Sequence, residues 1–449
     1  MVFLGLGCKG ASREVQQALQ PVTLNWWRVF DDQNDFAATI AAYQALHPHI
    51  TINYRRLRPE EFEDQLLNAL AEDRAPDIVS LHNTWLRKYQ SKLAPMPPTT
   101  TLPYQFVTGT LKKEITTELR TTPSINLRDL QSRFLDVVSE DAVIVDASNP
   151  ANPIRRVYGL PTSVDTMVLY FNRDLLNNAG IPQPPATWDQ FQEQVKRLTR
   201  QDSLGNITQA GAGLGAANNI PRYFDILSLL MMQNGAQMTD DSGLARFERI
   251  PPTVTGRAAP PGVEALAFYT GFANPAQDVY TWNEAMPNAL EAFTAGRLAF
   301  FFGYSYHLEQ IKARAPKLKV ETINFPQIEG APEMYFANYW LETVPFKSRR
   351  QNEAWDFIQF LTRADNVRSY LNNTNKPTAL RELVTEQLED LDLYFFARQL
   401  LNAKSWYRGA DPGAAETIFA EMINGVIKGE ILPEQAVPLA AQRVNQTIR

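Results

Sequence analysis

The sequence predicts an α/β protein of two domains. Three observations predict it. At 449 residues the chain is too long for one ordinary core. A β-α-β-α-β rhythm runs through Leu81, the pattern of parallel strands covered by helices. Hydrophobic residues make up 44% and charged residues 20%, as in a folded globular chain. The net charge of -6 and the lack of any dense basic stretch argue against nucleic-acid binding. A single cysteine, Cys8, rules out a disulfide framework or a cysteine metal cluster. No run approaches the ~20 apolar residues of a membrane span.

Residues 9–21 are polar and read as a tether. Thr23-Leu24-Asn25-Trp26-Trp27-Arg28-Val29 reads as a strand, ended by Asp31-Asp32-Gln33-Asn34. Phe36, Ile40 and Tyr43 recur at helical spacing until Pro48. Ile50, Ile52 and Tyr54 alternate as a strand does. Phe62, Leu66, Leu67 and Leu70 mark a helix, and Asp77-Ile78-Val79-Ser80-Leu81 a buried strand. Ligands on such sheets bind beyond the carboxyl ends of strands, which points to the residues after Trp27 and after Leu81. Residues 95–103 and 146–153, rich in proline, read as loops. Thr166 to Phe171 is β-prone and leads to a helix closed by Gly180. Thr187-Trp188-Asp189-Gln190 fits a capping box, with Phe191, Val195 and Leu198 behind it. Residues 249–261 form a second proline-rich connector. Leu298 to Phe302 reads as a strand, and Ser348-Arg349-Arg350-Gln351 as another capping box before Ala354, Phe357, Ile358 and Leu361. Helices follow around Ile418 and Met422, then Ala436 and Val444.

Gly211-Ala212-Gly213-Leu214-Gly215-Ala216 matches G-x-G-x-x-A formally, but the strand-then-helix setting of a dinucleotide site is missing, so no cofactor is expected. The histidines show no metal-helix spacing, so no metal is expected, and His47 at a helix end has a structural reading. No G-x-S-x-G elbow and no P-loop occurs. Carboxylates such as those of Glu60, Glu61, Glu63 and Asp64 are most simply a solvated helix face. A glycosidase would need two positioned carboxylates, and no segment points to them.

Five stretches carry a resemblance. They are Ala75-Pro76-Asp77-Ile78-Val79; Tyr158-Gly159-Leu160-Pro161 with Leu169-Tyr170-Phe171-Asn172-Arg173-Asp174-Leu175; Pro185-Ala186-Thr187-Trp188-Asp189-Gln190-Phe191; Phe293-Thr294-Ala295-Gly296-Arg297-Leu298-Ala299-Phe300 with Gly303-Tyr304; and Ala354-Trp355-Asp356-Phe357-Ile358-Gln359-Phe360-Leu361. In this order the chain resembles the family 1 extracellular solute-binding proteins of ABC transporters, of the sugar-binding, maltose-binding-protein-like type. Arg297 replaces that family's usual lysine, and Tyr304 its usual tryptophan. The resemblance implies a type II periplasmic-binding-protein fold, a Venus flytrap with three interlobe crossovers near residues 163–165, 338–344 and 377–381. Lobe 1 would hold residues 22–163 plus 343–377, and lobe 2 residues 164–342 plus 378–449. The lobes would close on a solute by hinge motion.

The same resemblance, joined to the strand-end argument, supplies the candidate ligand residues. They are Trp27 and Asp31 after the first strand, Asn83, Thr84 and Trp85 after the third, Asp165 in the first crossover, and Tyr223, Tyr304, Trp340 and Trp406 at aromatic positions. Trp27, Trp85 and Tyr223 fit the core as well as a cleft. For Asp165, Tyr304, Trp340 and Trp406 the cleft is favoured, since location and family position agree. Rings with a few polar groups suit a neutral polyhydroxyl solute. The implied function is therefore the capture subunit of an ABC importer for a mono- or oligosaccharide, a monomer that works with membrane permease subunits and is not an enzyme. A polyamine or other cation also fits rings with aspartate. Arg28 and Arg222 leave an anion open. A secreted carbohydrate-active enzyme or a sensor subunit on the same fold is the alternative from another class. Finally, Val2-Phe3-Leu4-Gly5-Leu6-Gly7-Cys8 resembles the end of a bacterial lipoprotein signal, though without a basic n-region. Lipidation at Cys8 of a longer precursor, on the outer side of the cell membrane, is the expectation. The rival reading is an incidental thiol in a cytoplasmic N-terminus.

Overall fold

The computed structural model describes residues 13–108, 114–146 and 153–448. Two five-stranded sheets organise it. The first has the order Ile50–Leu57, Val22–Val29, Ile78–His82, Trp340–Pro345, Leu93–Ala94. Val22–Val29 runs parallel to both of its neighbours, whereas Trp340–Pro345 arrives from far along the chain and pairs antiparallel to Ile78–His82. Alternation decides the faces. Leu24 and Trp26 point to one side with Ile40, Tyr43 and Phe357; Val29 and Val79 point to the other with Phe62 and Leu66. Helices Ala37–Leu46 and Gln351–Leu361 thus cover one face and Pro59–Ala71 the other.

The second sheet has the order Arg200–Gln201, Ile207–Ala212, Leu298–Gly303, Val168–Asn172, Val320–Asn324. Val168–Asn172 and Leu298–Gly303 are buried along their full lengths, as strands covered on both faces must be. A third, small sheet joins Ala403–Lys404, Tyr335–Asn338 and Asp165–Thr166. The result is a two-lobed α/β protein, each large sheet with a core of its own. Among the described residues no helix is long and apolar enough to cross a membrane.

Several expectations shift. Residues 9–21 are not all tether, since Arg13–Ala18 is helical and lies against the hairpin of Thr99–Thr108 and Glu114–Pro123. That hairpin also claims residues 99–103, expected as loop. Proline is tolerated there because Pro103 sits in a two-stranded ribbon. Trp340 pairs with His82 in the first sheet, although a boundary at 343 would leave it in the second lobe. Ala379, Leu380, Leu383 and Val384 likewise pack in the first core, beyond the expected boundary at 378. Ser348 does not cap the next helix. Its hydroxyl accepts from the backbone of Arg350, and the helix begins at Gln351. Cys8 lies outside the described residues.

Gly211 shows why the glycine-bearing segment is structural. A Cβ there would stand 2.7 Å from the carbonyl oxygen of Val195. Glycine lets helix Trp188–Leu198 approach strand Ile207–Ala212 closely. The next helix starts only at Tyr223, so none opens on the glycines.

Candidate functional site

A cavity of about 470 Å³ lies between the lobes, within the range of small-ligand pockets. From the first lobe it is lined by the end of strand Val22–Val29 and the turn after it, with His82, Trp340 and Lys376. From the second come Asp165, Arg222, Ser305, Tyr306 and Asn338.

On the first lobe, charge is balanced in a buried network. Arg28 donates to Asp31 at 2.5 Å and to Glu342, and its guanidinium lies over the rings of Phe36, Trp26 and Tyr370 at 4.7, 5.5 and 5.8 Å. Glu342 also accepts from Trp26 Nε1 at 2.6 Å and from Ser80 Oγ at 2.7 and 2.8 Å. Burial alone would lower the Arg28 pKa, but Glu342 and Asp31 outweigh it and hold the guanidinium charged. Burial pushes Glu342 up despite Arg28. For Asp31 burial opposes, yet Arg28 and Lys376 win and hold the carboxyl below its usual range. Lys376 donates to Asp31, and Tyr370 OH reaches Asp31 Oδ2 at 3.2 Å.

On the second lobe, Asp165 leads the short strand Asp165–Thr166, which pairs with Tyr335–Asn338. Its Oδ1 accepts from the backbone of Thr166 at 2.9 Å. Its Oδ2 accepts from the Ser305 backbone at 2.9 Å and from Ser305 Oγ at 2.7 Å. The carboxyl therefore sits at the start of helix Ser305–Arg314, where the helix dipole favours negative charge. Burial nevertheless pushes its pKa up to about 7, against those hydrogen bonds and Lys376. Arg222 precedes helix Tyr223–Gln233 in a left-handed conformation, and its Nε and Nη2 both reach Asp225 Oδ2, at 2.7 and 2.5 Å. Burial pushes the His82 imidazole down to about 3, with Arg222 adding to the shift, so the ring lining the cavity is neutral.

Of the residues singled out from sequence, the cavity brings together Asp31, Asp165 and Trp340. Tyr304 is in the second lobe's core, fully buried, its hydroxyl donating to Asp225 at 2.7 Å. Trp406 is in the same core, stacked at 5.7 Å on Phe224, with Nε1 donating to Ser228. Both expectations of a cleft-facing ring are corrected here. Each indole or phenol has a buried polar partner of its own, which lets the core hold it. Trp27 is half-buried outside the cavity, with Arg55 4.9 Å over its ring. Asn83 is buried and donates to Asp141, and Thr84 Oγ1 meets His82 Nδ1 at 2.7 Å. Trp85 stands behind Trp340, 6.0 Å away, and Tyr223 OH donates to the Glu416 carbonyl. None of these five lines the cavity. Phe30, Ser305, Tyr306, Asn338 and Lys376 do, and sequence reasoning did not select them. The available signal was adjacency: each lies within a few residues of a strand end or crossover already marked.

A family model described as "Bacterial extracellular solute-binding protein" matches residues 30–368. A Deinococcus radiodurans protein named "Probable ABC transporter-binding protein" is 25% identical over 211 residues, covering 46% of this chain and 48% of the relative. The sn-glycerol-3-phosphate-binding periplasmic protein UgpB of Salmonella paratyphi A is 25% identical over 309 residues, 64% of this chain and 66% of the relative. The chain thus spans about half the length of the first relative and less than two thirds of the second's full length. Among solved structures, the cyclic alpha-maltosyl-1,6-maltose binding protein from Arthrobacter globiformis superposes with a TM-score of 0.73 at 18% identity, over 95% of this chain and 99% of that one. At that identity the likeness is one of fold.

Proposed function

The chain belongs to the bacterial extracellular solute-binding proteins, and from that premise we propose that its cleft captures a mono- or oligosaccharide for an ABC importer. One observation carries the reading. The interlobe cavity sets the rings of Phe30, Tyr306 and Trp340 beside the fixed acceptor Asp165 and the donors Arg222, Lys376 and Asn338. Sugar C–H faces pack on rings, while hydroxyls need positioned donors and acceptors. Asp31 and Glu342 are held in ion pairs with Arg28, so the first lobe's cations are largely neutralised and a strongly charged solute gains less than a neutral one.

In this reading no bond is broken. The work is differential affinity for the closed state, which the membrane permease subunits would recognise. The lobes close about the crossovers, the protein acts as a monomer, and Cys8 carries a lipid anchor that holds it at the outer face of the membrane.

Calorimetric titration tests this with maltose, maltotetraose, mannobiose, sn-glycerol 3-phosphate and spermidine, with chromatography of the solute afterwards. Saturable binding of an unchanged sugar is expected. Tighter binding of the phosphate or the polyamine replaces the solute class, and hydrolysis products replace the function.

A further inference from the structure

Phe30 has an improbable backbone. Its φ is +72°, and the Asp31 N–H donates to the Val29 carbonyl at 2.9 Å across it. A hydrogen bond spanning one residue with positive φ is the rare, strained form of the γ-turn. Among the described residues, four non-glycines have positive φ. Asp73 and Asn375 are residue types that tolerate it; Phe30 and Arg222 are not, and both line the cavity, one from each lobe.

Nor does burial explain the ring. Phe30 is 59% exposed, although it follows a strand whose residues Val29 and Arg28 are buried. It stands edge-on to Trp340 with centroids 5.8 Å apart. The turn is over-determined from both sides. Val29 is locked in the sheet, and Asp31 is held by Arg28, Tyr370 and Lys376 through its carboxylate and by Tyr54 OH, at 2.7 Å, through its carbonyl. Strain held in place by its surroundings, on a residue that gains nothing from the core, marks a functional site.

We propose that Phe30 is a solute-stacking residue, forming with Trp340 an aromatic corner on the first lobe against which a sugar ring is pressed when the lobes close. The inference rests on the reading of the cleft as a saccharide site. The turn leaves the ring exposed in the cavity wall beside Trp340; glycine, which relieves the turn, has no ring to offer.

The test compares Phe30→Ala, Phe30→Gly and Phe30→Tyr with the parent, by calorimetry with maltotetraose and mannobiose and by thermal melting without sugar. The alanine and glycine variants should bind at least about tenfold more weakly, since each loses a ring's worth of covered apolar surface. Phe30→Tyr should bind within about threefold of the parent, because the stacking face is kept. Phe30→Gly should melt above Phe30→Ala, since only glycine adopts this turn without steric cost. If Phe30 served packing alone, both truncations would lower Tm and spare affinity, and the proposal would be overturned. A parent that binds sugar while all three variants match it refutes the role of Phe30 and leaves the saccharide reading standing. A parent that binds neither sugar removes that reading, and this inference with it.

Discussion

Substituting Asp165 by asparagine separates two roles of the carboxyl. The folded group holds its proton up to about pH 7, whereas the unfolded one releases it near its ordinary value of 3.8. Between these values this group keeps its proton in the folded chain and loses it in the unfolded one, so raising the pH through that window removes its contribution to stability. At about 1.4 kcal/mol per pH unit the loss would reach roughly 4 kcal/mol; the carboxyl lines the cavity and is only partly buried, so solvent screens it and about 2 kcal/mol is expected. The surrounding charges are Lys376 on the facing lobe, which favours ionisation, and the ring and hydroxyl of Tyr306 beside it. In Asp165→Asn the amide oxygen can still accept from Ser305, but the amide nitrogen then faces the Thr166 N–H, a donor against a donor, at a cost of about 1 kcal/mol. Without sugar, the variant should therefore be less stable than the parent near about pH 5 and equal to it or better near about pH 8. Urea unfolding at both pH values, read by tryptophan fluorescence, measures the crossing. Sugar affinity should fall about ten- to a hundredfold in the variant, because a hydroxyl-to-carboxylate bond is lost. In the parent it should rise as pH passes about 7. A parent–variant stability difference that stays constant across this window refutes the buried-carboxyl reasoning.

Trp406→Ala should destabilise the second lobe by about 3–5 kcal/mol in urea titration while the folded protein keeps its sugar affinity, since the ring fills the core and not the cleft. Arg28→Met should cost about 3–5 kcal/mol in the same assay, because Glu342 and Asp31 stay buried without their partner. Burial holds His82 and His307 down to about 3 and His49 to about 4, and lowers His47 as well. These imidazoles thus bind more protons in the unfolded chain below about 6.5, and in Asp165→Asn, which removes one of the raised carboxyls that oppose them, stability should fall more steeply than in the parent as pH drops from about 6.5 towards 4. A fragment ending at Thr162 should show no cooperative thermal transition, because it lacks Trp340–Pro345, the strand between Ile78–His82 and Leu93–Ala94.

Much of the architecture was readable along the chain. Leu24 and Trp26 alternate with Asn25 and Trp27, and Phe62, Leu66 and Leu70 repeat at helical spacing. Burial on one face imposes such periods locally, so strands and helices declared themselves within a few residues of their observed limits. The hairpin over residues 99–103 did not, because prolines and threonines read as turn chemistry until a partner strand supplies the missing bonds. The order of five motifs implied the two lobes and the fold class. The site was legible only in part. Asp31, Asp165 and Trp340 reach the cavity because strand ends and crossovers must emerge between the lobes. Whether a ring beside such an end faces solvent or core depends on partners far away in the chain: Asp225 takes the hydroxyl of Tyr304, and Ser228 takes the indole of Trp406. No local pattern encodes those pairings. The same holds for Lys376, whose partner Asp31 lies 345 positions earlier, and for Phe30, which lines the cavity through a backbone turn held by the sheet at Val29 and by distant partners of Asp31.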